Sequence, residues 1–154
     1  MIKSRYDLAI GIDPGTKTGI AIAEPDPNAS SYRWKELHTV PIHRALAMIQ
    51  DMILEVEQDH YRSSMLVVVE DARQIGGPAN QKMGAGSIRR DCAIWDDLLV
   101  DLAGETDALE FIFVKPSRKG LRKLTQEQLT TYTGCELKGS QHARDAVGVI
   151  FPHL

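Results

Sequence analysis

Two apolar strands joined by a tight turn near the start of the chain constrain the fold most strongly. Residues 7–13 and 18–24 are rich in isoleucine and alanine, and the proline and glycine between them favour a hairpin. The first of these strands ends in Asp13. A carboxylate at the end of a buried strand is costly to desolvate unless it is paired or binds a metal ion. Asp13 is therefore the first candidate functional residue.

The rest of the chain predicts three further strands and four helices. Short β-branched or aromatic runs predict strands over 32–40, 65–69 and 109–114. Apolar spacing and capping residues predict helices over 43–61, 88–103, 126–133 and 141–150. This order predicts an α/β fold in which a mixed five-stranded sheet is flanked by helices. We interpret residues 1–154 as one domain.

The composition excludes several classes of protein. The chain has 154 residues, of which 43% are hydrophobic and 25% are charged, as in globular rather than disordered proteins. No apolar run approaches the roughly 20 residues of a membrane span, and the first residues lack the apolar core of a signal peptide. Cys92 and Cys135 do not have the spacing of a metal site. We therefore expect a cytoplasmic protein with two reduced thiols.

Basic residues cluster in two places, although the formal net charge is −3. The first cluster lies within nine residues and comprises Lys115, Arg118, Lys119, Arg122 and Lys123. The second lies in or beside a glycine-bearing segment, 73–87, that we predict to be a long functional loop; it comprises Arg73, Lys82, Arg89 and Arg90. Both clusters can bind nucleic-acid phosphates through salt-dependent contacts. A solvated basic loop is the alternative interpretation of the first cluster.

Three further side chains complete a possible metal site with Asp13. Glu70 follows the 65–69 strand, and His142 and Asp145 share one face of the last helix because they are three residues apart. If the strands that end at Asp13 and Glu70 are parallel neighbours, both carboxylates lie at the same sheet edge. Such a set suits Mg²⁺ or Mn²⁺, and two ions about 4 Å apart can drive phosphodiester hydrolysis. Each residue also has an ordinary structural interpretation, and spacing alone does not fix the strand order.

These residues resemble the motifs of the RuvC family of Holliday junction resolvases, which have a ribonuclease H-like fold. Gly11–Gly15 followed by Gly19 resembles the first motif, Val67–Glu70 the second, and His142–Ala146 the last. The stretch before Gly134 is most similar to small phage or prophage members. The resemblance implies that the catalytic and metal-binding residues are Asp13, Glu70, His142 and Asp145.

The resemblance also implies a substrate and an assembly. It implies a homodimer that binds a four-way DNA junction and makes paired nicks with metal-activated water, in a bacterial or phage-infected cell. In the family, the loop after the glutamate enters the junction and often carries aromatic residues, whereas residues 73–90 contain none. Lys119 and Lys123 are candidates for the family's essential lysines. Trp95 is interpreted as a core residue, with a place in the dimer interface as the alternative.

Three other functions stay open. A nuclease family associated with pre-ribosomal RNA shares the fold and a similar opening motif, but this chain lacks the Asp-Glu-Arg-x-Thr motif of that family. The glycine-bearing turn after Asp13 can also cradle a phosphate, as in nucleotide-binding modules of the actin and sugar-kinase type, although that fold needs two such domains. A protein that binds DNA junctions without cleaving them is the third possibility.

Overall fold

The fold is built on one mixed β-sheet. A computed structural model describes residues 5–59, 64–75, 85–116 and 123–154. The strands are β1 (Leu8–Asp13), β2 (Lys17–Pro25), β3 (Tyr32–Pro41), β4 (Met65–Glu70) and β5 (Leu109–Val114). The helices are α1 (Ile42–Gln58), α2 (Ala85–Glu105), α3 (Gln126–Thr133) and α4 (Gln141–Ile150). Short 3₁₀ turns follow β4 and α4, at Ala72–Gln74 and Phe151–His153. The predicted strands and helices are therefore confirmed.

The strand order determines which strand ends lie at the same edge of the sheet. The sheet runs β3-β2-β1-β4-β5, with β1 antiparallel to β2 and β2 antiparallel to β3. β4 lies parallel to both β1 and β5. The carboxyl ends of β1, β4 and β5 consequently lie at one edge of the sheet. This confirms the predicted mixed five-stranded sheet and places the residues after these strands together.

The two faces of the sheet carry separate apolar cores. Because side chains alternate along a strand, Ile10 and Ile12 face α1 and α2, where fully buried Trp95 confirms its interpretation as a core residue. Ala9 lies on the opposite face, in a core with Ala146 and other residues of α4. The helix α4 therefore covers the same face of β1 as Ala9, Gly11 and Asp13. Within the described ranges, no helix has both the length and the apolar character needed to cross a bilayer.

Some predicted helix boundaries are wrong by a few residues. The helix α1 ends at Gln58, because Asp59 is already extended, and residues 60 and 61 lie outside the described residues. The helix α2 begins at Ala85, so the end of the predicted 73–87 loop is helical, and it continues to Glu105. Ile88, where the sequence predicted α2 to begin, is 42% exposed, and the buried apolar residues of α2 begin one turn later at Cys92.

The caps of the last two helices explain where they begin and end. Thr125 and Gln128 form the predicted capping box, with each side chain bonded to the backbone of the other residue. Gly134 adopts a left-handed conformation with φ 66° and ends α3. Ser140 is the N-cap residue of α4, but its hydroxyl bonds to the hydroxyl of Thr39 rather than to the helix. α4 is thereby tied to β3 at its first turn.

Candidate active site

Asp13 and Glu70 end neighbouring parallel strands on the same face of the sheet. Ile12 pairs with Val69 in the β1–β4 ladder, so the next residue of each strand is one of these two acids. By the alternation of side chains, both point to the face that α4 covers. The carboxylate of Asp13 is mostly buried, at 14% exposure, and Glu70 is partly exposed. The strands that end at Asp13 and Glu70 are therefore parallel neighbours, and both carboxylates lie at the same edge of the sheet.

His142 reaches Asp13 from the first turn of α4. Its Nδ1 lies 3.0 Å from Oδ2 of Asp13, a distance at which the ring N–H donates to the carboxylate. The side chain of His142 is 49% exposed to solvent, while its Nδ1 is bonded to the carboxylate of Asp13. His142 therefore orients a carboxylate that is itself fixed by the end of β1.

Two glycines allow α4 to approach the sheet closely enough for this contact. Gly19 pairs with Asp13 in the β1–β2 ladder, and a Cβ on Gly19 would lie 1.9 Å from the carbonyl oxygen of His142. A Cβ on Gly11 would lie 2.2 Å from the carbonyl oxygen of Ala146, one helical turn further on. The absence of side chains at these two positions lets the helix backbone lie directly on the strands. The sequence identifies both glycines as motif residues but gives no signal of this packing role.

Asp145 lies three residues after His142 and is partly buried. Its Oδ1 accepts a hydrogen bond of 2.6 Å from Nε2 of Gln141, four residues earlier on the same helix. The amide of Gln141 also accepts a bond from Arg144. Neither Gln141 nor Arg144 was predicted from the sequence as a functional residue, although a spacing of four residues on a helix is itself a signal of contact.

The donor types at this edge fit a hard divalent cation. Carboxylate oxygens with one imidazole nitrogen are ligands for Mg²⁺ or Mn²⁺. Across the four described segments, however, no group of three or more histidine, cysteine, aspartate or glutamate side chains is arranged to hold a metal ion. The geometry instead supplies Asp13 and Glu70 at adjacent strand ends, with His142 bonded to Asp13 and Asp145 bonded to Gln141. The chemistry of the set fits the ion, and Asp13 and Glu70 are the two acids placed side by side.

The segment after Glu70 is fixed by a buried ion pair. The carboxylate of Asp71 is bound by the backbone N–H of Arg73 at 3.0 Å and by its Nε at 2.8 Å. Burial alone would raise the pKa of Asp71, but the hydrogen bonds from Arg73 outweigh it and hold that pKa below its usual range. Nη2 of Arg73 also lies 3.0 Å from Asp96 on α2, and its guanidinium stacks on Phe113 of β5. This network joins the segment after β4 to α2 and β5.

The residues predicted to contact DNA fall into three groups. Arg73 is 27% exposed and is engaged by two carboxylates, and Arg90 contacts Asp91 and Ser87. Three exposed cations are Arg89, Lys115 and Lys123. The remaining four lie outside the described residues and are Lys82, Arg118, Lys119 and Arg122. Binding of DNA by any of them stays a prediction.

Solved structures of junction resolvases match this architecture over most of its length. RuvC of Thermus thermophilus in complex with a Holliday junction substrate matches with a TM-score of 0.61 and 18% identity, over 95% of this chain and 92% of that chain. The chain has the ribonuclease H-like fold of RuvC. A second structure of Thermus thermophilus RuvC matches with a TM-score of 0.52 and the same identity and coverage. The predicted fold class and the resemblance to RuvC-type resolvases are thus confirmed.

The structure of a viral resolvase matches as well. The Fowlpox virus resolvase, in complex with Holliday junction DNA, has a TM-score of 0.55 and 11% identity, over 94% of this chain and 97% of that chain. No protein-family model matches the chain, and no curated protein is significantly similar to it. The likeness therefore lies in the fold rather than in the sequence.

Proposed function

We propose that the protein is a structure-selective endonuclease that cleaves four-way DNA junctions, or other branched DNA, by hydrolysis of phosphodiester bonds. The observation that carries the proposal is the placement of Asp13 beside Glu70 at the carboxyl ends of parallel strands, with His142 bonded to Asp13. In open α/β sheets this edge is where ligands bind. The match to resolvases solved with junction DNA supports the choice of substrate.

In this proposal the four site residues hold two Mg²⁺ or Mn²⁺ ions. Asp13 and Glu70 supply carboxylate oxygens from the sheet, while His142 and Asp145 supply donors from α4. When bound, the ions would activate a water molecule and stabilise the leaving oxygen of the scissile phosphodiester. The protein's own contribution is to fix these donors on rigid elements, because Asp13 ends a buried strand and α4 is seated on glycines.

DNA binding in this proposal depends on exposed cations near the same edge. Lys115 directly follows β5, whose last residue Val114 pairs with Glu70, so this lysine lies beside the candidate site. Lys123 lies at the other end of the basic segment 115–123. Contacts of this type neutralise phosphates and position the duplex arms without reading base sequence. We expect them to weaken steeply as salt is raised.

The proposal includes an assembly and a compartment. Paired nicks on opposite strands need two active sites, so we propose a homodimer in which residues 1–154 of each copy act as one nuclease domain. Cys92 and Cys135 carry free thiols, which agrees with the cytoplasm of a bacterial or phage-infected cell. Analytical ultracentrifugation at the protein concentration of the cleavage assay measures the oligomeric state. A monomer that still makes paired nicks would contradict the proposed homodimer.

Cleavage of a panel of labelled substrates tests the proposed function. The panel comprises a four-way junction, a flap, a duplex and single-stranded DNA of the same sequence, and a structured RNA, each incubated with Mg²⁺, Mn²⁺ or a chelator. We expect metal-dependent nicks in the junction or flap and little cleavage of the duplex. Preferred cleavage of the RNA would favour the alternative RNA nuclease. Tight junction binding with no cleavage in either metal would favour a protein that only binds junctions.

A further inference from the structure

The side-chain amide of Gln141 is held in one orientation by its neighbours. Its Nε2 donates to Oδ1 of Asp145 at 2.6 Å and to the carbonyl oxygen of Leu124 at 3.4 Å, and its Oε1 accepts from Nη2 of Arg144 at 3.1 Å. A guanidinium has only donors, whereas a carboxylate and a carbonyl have only acceptors. The opposite orientation of the amide would therefore break all three contacts. The donor and acceptor types of these neighbours therefore direct the NH₂ group of Gln141 at Asp145.

Arg144 fixes this amide to the segments that precede α3 and α4. Its Nε donates to the carbonyl oxygen of Leu124 at 2.7 Å and its Nη1 to that of Gly139 at 2.5 Å. Leu124 is fully buried, and its carbonyl oxygen accepts hydrogen bonds from both Arg144 and Gln141. Leu124 also follows Lys123, the last residue of the basic segment 115–123. Arg144 thus connects the end of that segment to the helix that carries His142 and Asp145.

We infer that Gln141 is a positioning residue for Asp145 and that Arg144 acts on Asp145 through Gln141. The inference rests on the proposed function and deepens it. A hydrogen bond from outside the ligand set fixes the orientation of a ligating carboxylate, and its loss typically costs 10–100-fold in metal affinity or activity. The bond to Asp145 is short and charge-assisted, as expected for such a role. Gln141 aims one oxygen of Asp145 and so restricts where the other one can lie.

The variant Gln141→Met tests the inference, because it keeps a similar length and removes both hydrogen-bonding groups without adding charge. The matched control is Gln50→Met, on the exposed side of α1 and on the other face of the sheet. Three quantities are measured: the Mn²⁺ dissociation constant of the protein alone by titration calorimetry, kcat and KM on a four-way junction, and the melting temperature. For Gln141→Met we expect Mn²⁺ binding weakened about tenfold and kcat lowered about tenfold, with KM within about twofold of wild type because the basic residues are unchanged.

The outcomes separate this inference from the proposed function. A folded Gln141→Met protein whose Mn²⁺ affinity and kcat stay within about twofold of wild type overturns the inference alone. A lowered melting temperature with unchanged affinity and kcat does the same, because it marks Gln141 as purely structural. Wild-type protein that neither binds Mn²⁺ nor cleaves any substrate overturns the proposed function itself.

A double-mutant cycle tests the part played by Arg144. Arg144→Lys keeps the charge but cannot reach all three of its acceptors. If Arg144 acts through Gln141, the double variant loses no more kcat than the more severe single variant. Losses that multiply would overturn this order of action.

Discussion

The carbonyl of His142 rests on Gly19 so closely that a Cβ at Gly19 would lie 1.9 Å from the carbonyl oxygen. The backbone of α4 is involved rather than a flexible side chain, so the clash can be relieved only by moving the helix away from the sheet. The contact between His142 and Asp13 depends on that helix position. The absence of a side chain at Gly19 thus determines how closely α4 approaches the sheet and allows His142 to reach Asp13.

We expect Gly19→Ala to displace α4 and to lower the free energy of unfolding by about 3 kcal/mol, as overpacking of a tight core does. Cleavage of a four-way junction should fall with it, because His142 moves away from Asp13. Gly104→Ala is the matched control: it lies in α2 with nothing within 4 Å of its added Cβ, and it should be neutral or slightly stabilising. Urea unfolding and cleavage assays measure both effects. Full stability and full cleavage in Gly19→Ala would contradict the packing argument.

Asp13→Asn should abolish cleavage while leaving junction binding nearly intact. The amide keeps the size of the side chain but removes the charge that a divalent cation requires, so we expect kcat to fall at least about a hundredfold. Asp97→Asn changes the same groups on an exposed position of α2 and serves as the control. Cleavage with Mg²⁺ and fluorescence anisotropy without metal give the two readouts. A fully active Asp13→Asn protein would contradict the proposed mechanism.

Arg73→Met should act mainly on stability. The change leaves the buried carboxylate of Asp71 without its guanidinium partner, and Arg73 is itself partly exposed, so we expect a loss of about 2 kcal/mol in the free energy of unfolding. Arg44→Met, on the exposed side of α1, provides a control with the same change of charge. Unfolding in urea gives the comparison. A stable variant with a shallower salt dependence of junction binding would instead identify Arg73 as a phosphate contact.

Lys115→Met should show the opposite pattern. The side chain is exposed, so the free energy of unfolding should change by less than about 0.5 kcal/mol. If the ammonium group neutralises one phosphate, the slope of log affinity against log salt should become shallower by about 0.9. Anisotropy titrations at several salt concentrations measure the slope. An unchanged slope would remove Lys115 from the DNA interface.

Glu24 should make stability fall in acid. Burial of this carboxyl would raise its pKa, but hydrogen bonds from Arg33 and Lys35 outweigh burial and lower it. Because the folded-state pKa lies below the unfolded value of about 4.3, the stabilisation is complete above that pH and is lost as the pH falls through the folded-state pKa.

We therefore expect Glu24→Gln to cost about 1 kcal/mol at pH 7, since both cations are about half-exposed, and the difference from wild type to shrink below about pH 4. Urea unfolding between pH 7 and pH 3 measures this difference, with Glu57→Gln on the exposed face of α1 as the control. A difference that stays constant down to pH 3 would contradict the assigned cause.

The sequence predicted the strands and helices well because their patterns are local. The β-branched run before Glu70 and the Thr125–Gln128 capping box each specify an element without help from distant residues. The start of α2 was less predictable, since glycine and small residues around Ala85 give no apolar period. Local patterns therefore supplied the elements but not all of their ends.

The geometry of the candidate site depends on contacts between distant segments. The neighbouring positions of Asp13 and Glu70 follow from the strand order, which spacing does not encode. The close approach of α4 to Gly19 depends on where α4 packs, and the second ion pair of Arg73 depends on Asp96, 23 residues away. The contact between Gln141 and Asp145 is the exception, because a spacing of four residues on a helix is a local signal, although it was not used to predict Gln141.

The hydrogen bond between Asp13 and His142 spans 129 positions of the chain. A ribosome-bound chain that has emerged only as far as β5 contains Asp13 and Glu70 but not the helix that supplies His142 and Asp145. If the proposed function holds, such a nascent chain cannot cleave nucleic acid, and cleavage becomes possible only when α4 packs on the sheet. On this proposal, the order of synthesis therefore leaves the site incomplete until nearly all of these residues have been made.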